Sequence, residues 1–502
     1  MSNRSAQSLM REWSGNEAAK KEAALATKTA HGSAEWATED DFMPSGPFRM
    51  GRWPESGKPL SYGGNGHCLT FGPTGAGKSV SVVVPNLLKY PGSVVCIDPK
   101  GAIAPVTAQR RRDMGQRVVL LDPFGEVERA TSARGNGAAW PPLEPSSVNP
   151  FGHLDKNSAD VVDDARLIAS GLVIQESEKN RYFSDSARMI LEGLILYLLE
   201  TRDVVLIEAV FDLAFMPRAA FTLEVLNDMK ALGEPEKDGE EVGDLKAHIA
   251  HMAGLIENLT GDTGAAVWST LYRSLNLLKS PRLLPAMQPS DLDFGSIKTT
   301  PTTLYLVLPA RHLETHGVWL RLMLSILIGQ LSDARRTDYP VLFLVDECAA
   351  LGRLEILETA IGLMRGYGLK LWLIFQDLPQ LKSIYERRWE SFISNSGVKQ
   401  FFNVNDLATA EFVAQYLGNK TARVQSENIS GQSPIAGASI GATGRPLLTA
   451  DEVRRLGKDE QILFYERQKP VLARKLCYYE DAEFKDPDTG QDLFLPDPYI
   501  VP

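Results

Sequence analysis

The chain has 502 residues, 44% of them hydrophobic and 23% charged, with a formal net charge of −10. That length allows roughly two to four domains with full apolar cores, and the balance excludes a disordered or fibrous chain. The negative total argues against a surface that coats nucleic acid broadly, and leaves room only for a locally basic channel.

Residues 1–45 are polar, rich in Glu, Lys, Ala and Ser, and predict a short helix followed by a partly mobile arm. From residue 46 short strands and turns follow, punctuated by Trp53-Pro54 and Gly63-Gly64. A short strand, His67-Cys68-Leu69-Thr70-Phe71, then runs into Gly72-Pro73-Thr74-Gly75-Ala76-Gly77-Lys78-Ser79, with an apolar helical stretch over residues 80–88. These eight residues match GxxxxGK[ST], and the strand-loop-helix order is the context in which that pattern cradles a triphosphate. Gly72, Gly75 and Gly77 permit the positive φ values and close backbone approach such a loop requires. The helix N-terminus adds unpaired N–H groups and a favourable dipole. Lys78 is expected to reach the β/γ-phosphates and the Ser79 hydroxyl to help hold Mg²⁺, so the chain is expected to bind ATP with Mg²⁺.

Two further apolar runs, over 93–98 and 117–122, end in Asp98-Pro99-Lys100 and Asp122-Pro123. Each reads as a buried parallel strand with polar residues at its carboxyl end, and residues 106–114 between them read as a helix. This alternation is that of a doubly wound α/β domain. From about 160 to 284 the periodicity is helical throughout, as over 187–199 and 265–278. Strands return over 303–308, 340–347, 369–376 and 399–403, with helices over 317–331 and 355–365. Residues 426–443, rich in Gly, Ser and Ala, predict a flexible loop, and 461–479 two short strands. The division expected is an arm (1–45), a nucleotide-binding part (46–159), an all-α domain (160–290) and a second nucleotide-binding part (291–502).

The run ending in Asp346-Glu347 is the second chemical signal. Beside a phosphate loop, Asp346 is suited to hold Mg²⁺, directly or through water, and Glu347 to polarise the attacking water. Alone, such a pair would read as a solvated strand end. Gln376 closes the next strand, where an amide could sense the γ-phosphate or merely finish the strand. Arg365, on the turn between those two strands, is either an ordinary surface arginine or a finger for a neighbouring subunit's site. Lys100 could also reach the nucleotide. His248 with His251, and His312 with His316, share helix faces but lack a further ligand, so packing is their default. Four cysteines (Cys68, Cys96, Cys348, Cys477) form no CxxC pair and suit a reducing compartment. Arg110-Arg111-Arg112 and Arg387-Arg388 are candidate basic clusters, with solvated faces as the default.

Together these segments resemble the coupling-protein ATPases of conjugation and type IV secretion. The resemblance runs from His31-Gly32-Ser33-Ala34-Glu35-Trp36-Ala37 through FGPTGAGKS and Cys96-Ile97-Asp98-Pro99-Lys100-Gly101. It continues at Asn149-Pro150-Phe151, Phe183-Ser184-Asp185-Ser186-Ala187-Arg188, FLVDECAALGRL, RGYGLKLWLIFQDLPQL and Gly444-Arg445-Pro446-Leu447-Leu448-Thr449. It implies a RecA-like motor domain interrupted by an all-α domain. It also implies ATP hydrolysis that delivers DNA, a relaxase–DNA complex or effector proteins to a type IV secretion channel, with six subunits forming a ring. In such a ring Arg365 would act on the next subunit. Members of the family carry membrane-spanning helices before the Gly-Ser-Ala-x-Trp-Ala segment, and no stretch here reaches the roughly 20 apolar residues needed. The expected location is therefore the cytoplasm, or the periphery of the inner membrane's cytoplasmic face. Two rival expectations are a recruitment platform with a structural nucleotide, and a soluble DNA translocase unrelated to secretion.

Overall fold

A run such as Val341-Leu342-Phe343-Leu344-Val345 has no polar face to offer water, so it is stable as a strand only with cover on both sides. The computed structural model describes residues 31–41, 45–132, 141–173, 180–235, 241–289, 292–333, 337–428 and 437–497. Most of the expected arm, residues 1–30 and 42–44, lies outside them.

The strands are β1 (Phe48–Arg52), β2 (Pro59–Tyr62), β3 (His67–Phe71), β4 (Val94–Ile97), β5 (Arg117–Leu121), β6 (Thr302–Leu306) and β7 (Val341–Val345). They continue as β8 (Leu369–Phe375), β9 (Ser396–Phe401), β10 (Asn419–Asn428), β11 (Gly437–Pro446), β12 (Glu460–Tyr465) and β13 (Val471–Arg474). Among the described residues they form an eleven-stranded sheet in the order β2-β1-β13-β12-β9-β3-β8-β7-β4-β6-β5, plus the separate pair β10-β11. From β9 to β5 every neighbouring pair is parallel; β12, β13, β1 and β2 extend the sheet antiparallel beyond β9. The chain is therefore α/β, with the doubly wound parallel core expected from its sequence.

Alternate residues of the central strands feed opposite cores. Val341, Phe343 and Val345 of β7 pack on one face with Leu371, Leu373 and Phe375 of β8. Leu342 and Leu344 pack on the other with Trp372 and Ile374. The first core does not stop at the sheet. It runs through Trp319, Leu322 and Leu327 of the helix Ala310–Asp333 into the helices that lie between β5 and β6 in the chain. These include Val161–Leu172, Arg181–Thr201, Asp244–Glu257 and Gly261–Asn276, and no strand interrupts them among the described residues. In Arg181–Thr201 the buried Ala187, Ile190, Leu191, Leu194, Ile195 and Leu198 recur at helical spacing, which orients that face inward.

Three local expectations change. The helix expected over 317–331 extends over Ala310–Asp333, because its first turns carry His312 and His316, which stack on Phe124 with centroids 4.3 and 5.4 Å away. The loop expected over 426–443 is in part the ribbon β10-β11, registered from Asn419↔Pro446 to Asn428↔Gly437. A two-stranded ribbon needs support. Residues 31–34 supply some, since Ala34 N–H donates to the Asn419 carbonyl (2.9 Å) and Thr421 N–H to the Gly32 carbonyl (3.2 Å). The cluster Arg110-Arg111-Arg112 is not a solvated face either. Arg111 is fully buried and donates to the carbonyls of Leu87 (3.0 Å), Tyr90 and Gly92 (2.7 Å), and to Thr303 Oγ1 and Gln116 Oε1. Its charge is spent on the ends of neighbouring elements.

Candidate functional site

All parallel strands present their carboxyl ends at one edge of the sheet, and the sequence signals gather there according to strand order. β8 lies between β3 and β7. Gln376, just after β8, is therefore set between the phosphate loop, which follows β3, and Asp346-Glu347, which follow β7.

The loop leaves β3 with Gly72 N–H donating to the Phe375 carbonyl of β8 at 3.1 Å. Gly75 (φ +79°) and Gly77 (φ +84°) adopt the left-handed backbone expected of them. Gly72 does not: its need is space, since a Cβ there would stand 3.0 Å from the Phe402 ring. After Lys78 the chain enters a π-helical turn, Ser79–Val83, before the α-helix Val84–Lys89. Such wide turns recur at functional sites because they re-aim successive N–H groups.

Lys78 is 6% exposed, and its ammonium folds back to donate to the carbonyls of Gly72 (2.9 Å) and Pro73 (3.2 Å). It also lies 3.8 Å from Glu347. The Ser79 hydroxyl donates to Asp346 Oδ2 at 3.3 Å. Asp346 is buried, which raises its pKa above the usual carboxylate range; the Glu347 charge raises it further, while Lys78 and Lys100 pull it down. Lys100 thus acts on the Asp346 carboxylate by its field. Glu347 has φ 53° and ψ 47°, a conformation costly for a residue with a long side chain. This geometry accompanies a side chain that receives the Gln376 amide at 3.0 Å on Oε2. The Gln376 backbone N–H in turn donates to Gln380 Oε1 at 2.9 Å.

Arg365 is not gathered with these residues. It precedes β8 and so sits at the opposite, amino edge of the sheet, about 20 Å away at the rise of a strand. There it donates to Glu466 Oε2 at 3.3 Å. The histidine pairs pack locally: His248 faces Glu192 Oε1 at 3.3 Å, and His316 Nδ1–H donates to the Leu277 carbonyl at 2.8 Å.

Sequence reasoning missed two contributors. Asp98 is fully buried and accepts N–H groups from Ala102, Ile103 and Ala104, which closes the amino end of the helix Ile103–Asp113. The Asp followed by a helix four residues on was a legible capping signal. The second is Lys475, whose ammonium meets the phosphate loop at the Ala76 carbonyl. No local pattern announces that contact.

Known proteins resemble this chain in sequence and in fold. Residues 16–499 match the family described as type IV secretory system conjugative DNA transfer. The chain is 28% identical over 497 residues to Protein VirD4 of Rhizobium rhizogenes, covering 94% of this chain and 69% of that one. It is 25% identical to the conjugal transfer protein TraG of Escherichia coli, covering 95% and 80%. In fold it is similar to the plasmid coupling protein TrwB in complex with the non-hydrolysable ATP analogue ADPNP, with TM-score 0.62 and 13% identity over 92% of this chain and 96% of that one. The same protein in complex with ADP and Mg²⁺ superposes with TM-score 0.54 and 13% identity over 86% and 88%. This likeness is one of fold, the RecA-like α/β arrangement.

Proposed function

The chain belongs to the type IV secretory system conjugative DNA transfer family, and from that premise we propose that it is the coupling ATPase of a conjugative or type IV secretion apparatus. It recruits a protein-linked DNA strand or an effector protein and delivers it to the channel at the expense of ATP. The observation that carries this reading is the convergence of Ser79 with Asp346 and of Glu347 with Gln376 around one phosphate loop, at one sheet edge.

The residues fit the groups they would hold. Ser79 and Asp346 offer only oxygen donors, the set that Mg²⁺ takes. When bound there, Mg²⁺ neutralises charge on the β- and γ-phosphate oxygens. The backbone N–H groups of 75–79 bind the phosphates, and Lys78 exchanges the carbonyls of Gly72 and Pro73 for phosphate oxygens. Glu347, oriented by the Gln376 amide, accepts a proton from the water that attacks the γ-phosphorus. The bond to the leaving β-phosphate oxygen breaks, releasing ADP and inorganic phosphate.

Arg365 belongs in this proposal as a residue acting between subunits. Its place at the far edge of the sheet supports that reading: in a ring, here taken as a hexamer, it would leave Glu466 and face the next subunit's phosphates. Among the described residues no helix is long and apolar enough to cross a membrane.

The test is steady-state ATP hydrolysis with and without single-stranded and duplex DNA, across protein concentration. Turnover should rise with concentration and with DNA, and vanish in Lys78→Ala. Tight Mg-ATP binding with negligible turnover under all conditions would replace this reading by a recruitment platform.

A further inference from the structure

Lys475 lies just beyond β13, on the antiparallel wing of the sheet and 399 positions from the phosphate loop that it touches. Its ammonium donates to the Ala76 carbonyl at 3.0 Å and to Asn403 Oδ1 at 2.9 Å. Three other features fix it there. Its backbone N–H donates to the Asp459 carbonyl at 2.8 Å. Its ammonium stands 5.1 Å from the centroid of the Phe402 ring, the ring that closes against Gly72. Asn403 holds the left-handed backbone (φ 54°) just past β9, the strand paired with β3. A half-buried ammonium is costly unless it is paired, and here both of its hydrogen-bond acceptors, the Ala76 carbonyl and Asn403 Oδ1, are neutral, one of them the backbone of the loop.

The chemistry follows from the peptide group. The Ala76 carbonyl and the Gly77 N–H are two ends of one amide. A cationic donor on the oxygen withdraws electron density and makes the N–H at the other end a stronger donor. Gly77 lies in the part of the loop whose N–H groups cradle the α- and β-phosphates.

We propose that Lys475 is a positioning residue for nucleotide binding: it holds and polarises the Ala76–Gly77 peptide so that the Gly77 N–H grips phosphates shared by nucleoside di- and triphosphates. This rests on the nucleotide reading of the loop. It assigns the two lysines different tasks. Lys78 acts on phosphate oxygens directly and senses the γ-phosphate, whereas Lys475 acts through the backbone and strengthens di- and triphosphate binding alike.

The experiment is calorimetric titration of the full chain with Mg-ADP and with Mg-ADPNP, on wild type, Lys475→Met, Lys475→Gln and Lys475→Arg in parallel, together with steady-state kinetics. In Lys475→Met both dissociation constants should rise by the same factor, about five- to tenfold for a charge-assisted hydrogen bond felt through one peptide. KM should rise with them while kcat stays unchanged, and the nucleotide-free melting temperature should not move. Lys475→Gln, which keeps an N–H donor without the charge, should fall between wild type and Met, and it supplies the answer if the Met variant does not fold. Lys475→Arg should restore most of the affinity. Wild-type affinity for both nucleotides in the Met and Gln variants would overturn the proposal, as would a loss confined to kcat or to the triphosphate. If wild type binds neither nucleotide, the reading of the loop itself has failed, an outcome distinct from a variant that matches a binding wild type.

Discussion

The Ser79 hydroxyl donates to Asp346 Oδ2 at 3.3 Å across 267 positions of sequence. One oxygen at the start of the helical turn after the phosphate loop and one just past the end of β7 are thereby held together at the mouth of the loop, the second of them on the buried Asp346. This pairing makes metal-dependent binding separable from phosphate binding. Ser79→Ala should weaken nucleotide binding in the presence of Mg²⁺ by roughly tenfold, and leave binding in excess chelator unchanged. Titration with and without chelator checks it; equal losses under both conditions would show that Ser79 shapes the loop rather than the metal site.

Glu347 combines the side chain proposed as general base with a left-handed backbone that is costly for a long side chain. Glu347→Gln should keep Mg-ATP affinity and lower kcat by about two to four orders of magnitude, as loss of a general base does. Glu347→Asn should do the same to kcat yet raise thermal stability, since asparagine tolerates the left-handed region and relieves about 1 kcal/mol. Melting and turnover measured on one preparation check both; a Glu347→Asn variant less stable than Glu347→Gln, which lacks the same charge, would show that the backbone there is not strained.

His67 is fully buried, with Nδ1 accepting the Leu371 N–H at 3.1 Å and Nε2–H donating to the Ile361 carbonyl at 3.0 Å. Burial, helped by the Lys370 charge, pulls its pKa from 6.5 down to about 4. The sign follows directly. As pH falls below 6.5 the unfolded chain takes up a proton that the folded chain refuses, so stability is full above that pH and is lost down to about pH 4. The slope from this residue approaches about 1.4 kcal/mol per pH unit. Denaturation profiles of wild type and His67→Gln should therefore differ in slope between these limits and run parallel outside them.

Arg111 carries a charge with backbone and neutral side-chain acceptors in place of a carboxylate. Lys cannot reproduce that fork, so Arg111→Lys should destabilise the chain by about 3 kcal/mol. DNA affinity measured well below the melting temperature should stay unchanged. Reduced affinity with unaltered stability would return Arg111 to the role of a basic contact.

The parts of this fold that were legible in the sequence are those governed by local rules. The phosphate loop announces itself by glycine spacing, and β4, β7 and β8 by apolar runs that leave no face for water. What local rules do not carry is adjacency. Nothing in the order of the segments places β8 between β3 and β7, yet that placement gives Gln376 its contact with Glu347. The contact of Lys475 with Ala76 depends on β12 and β13 being added antiparallel beyond β9, and so was invisible to pattern reading. The ribbon β10-β11 was missed for a different reason. Its Gly, Ser and Ala content weakens the strand signal, and the pairing comes from register between two segments and from residues 31–34.

The apolar core that passes from the sheet through the helix Ala310–Asp333 into the helices before β6 bears on how this protein can be taken apart. Excising residues 160–290 would strip those helices of the partner surface formed by Trp319, Leu322 and Leu327, and would leave the sheet with a raw apolar flank. The seam along which a helical portion could be grafted from one relative to another therefore does not follow the chain's two crossing points. It runs behind the helix Ala310–Asp333, which has to travel with the graft although it lies in the sequence after β6.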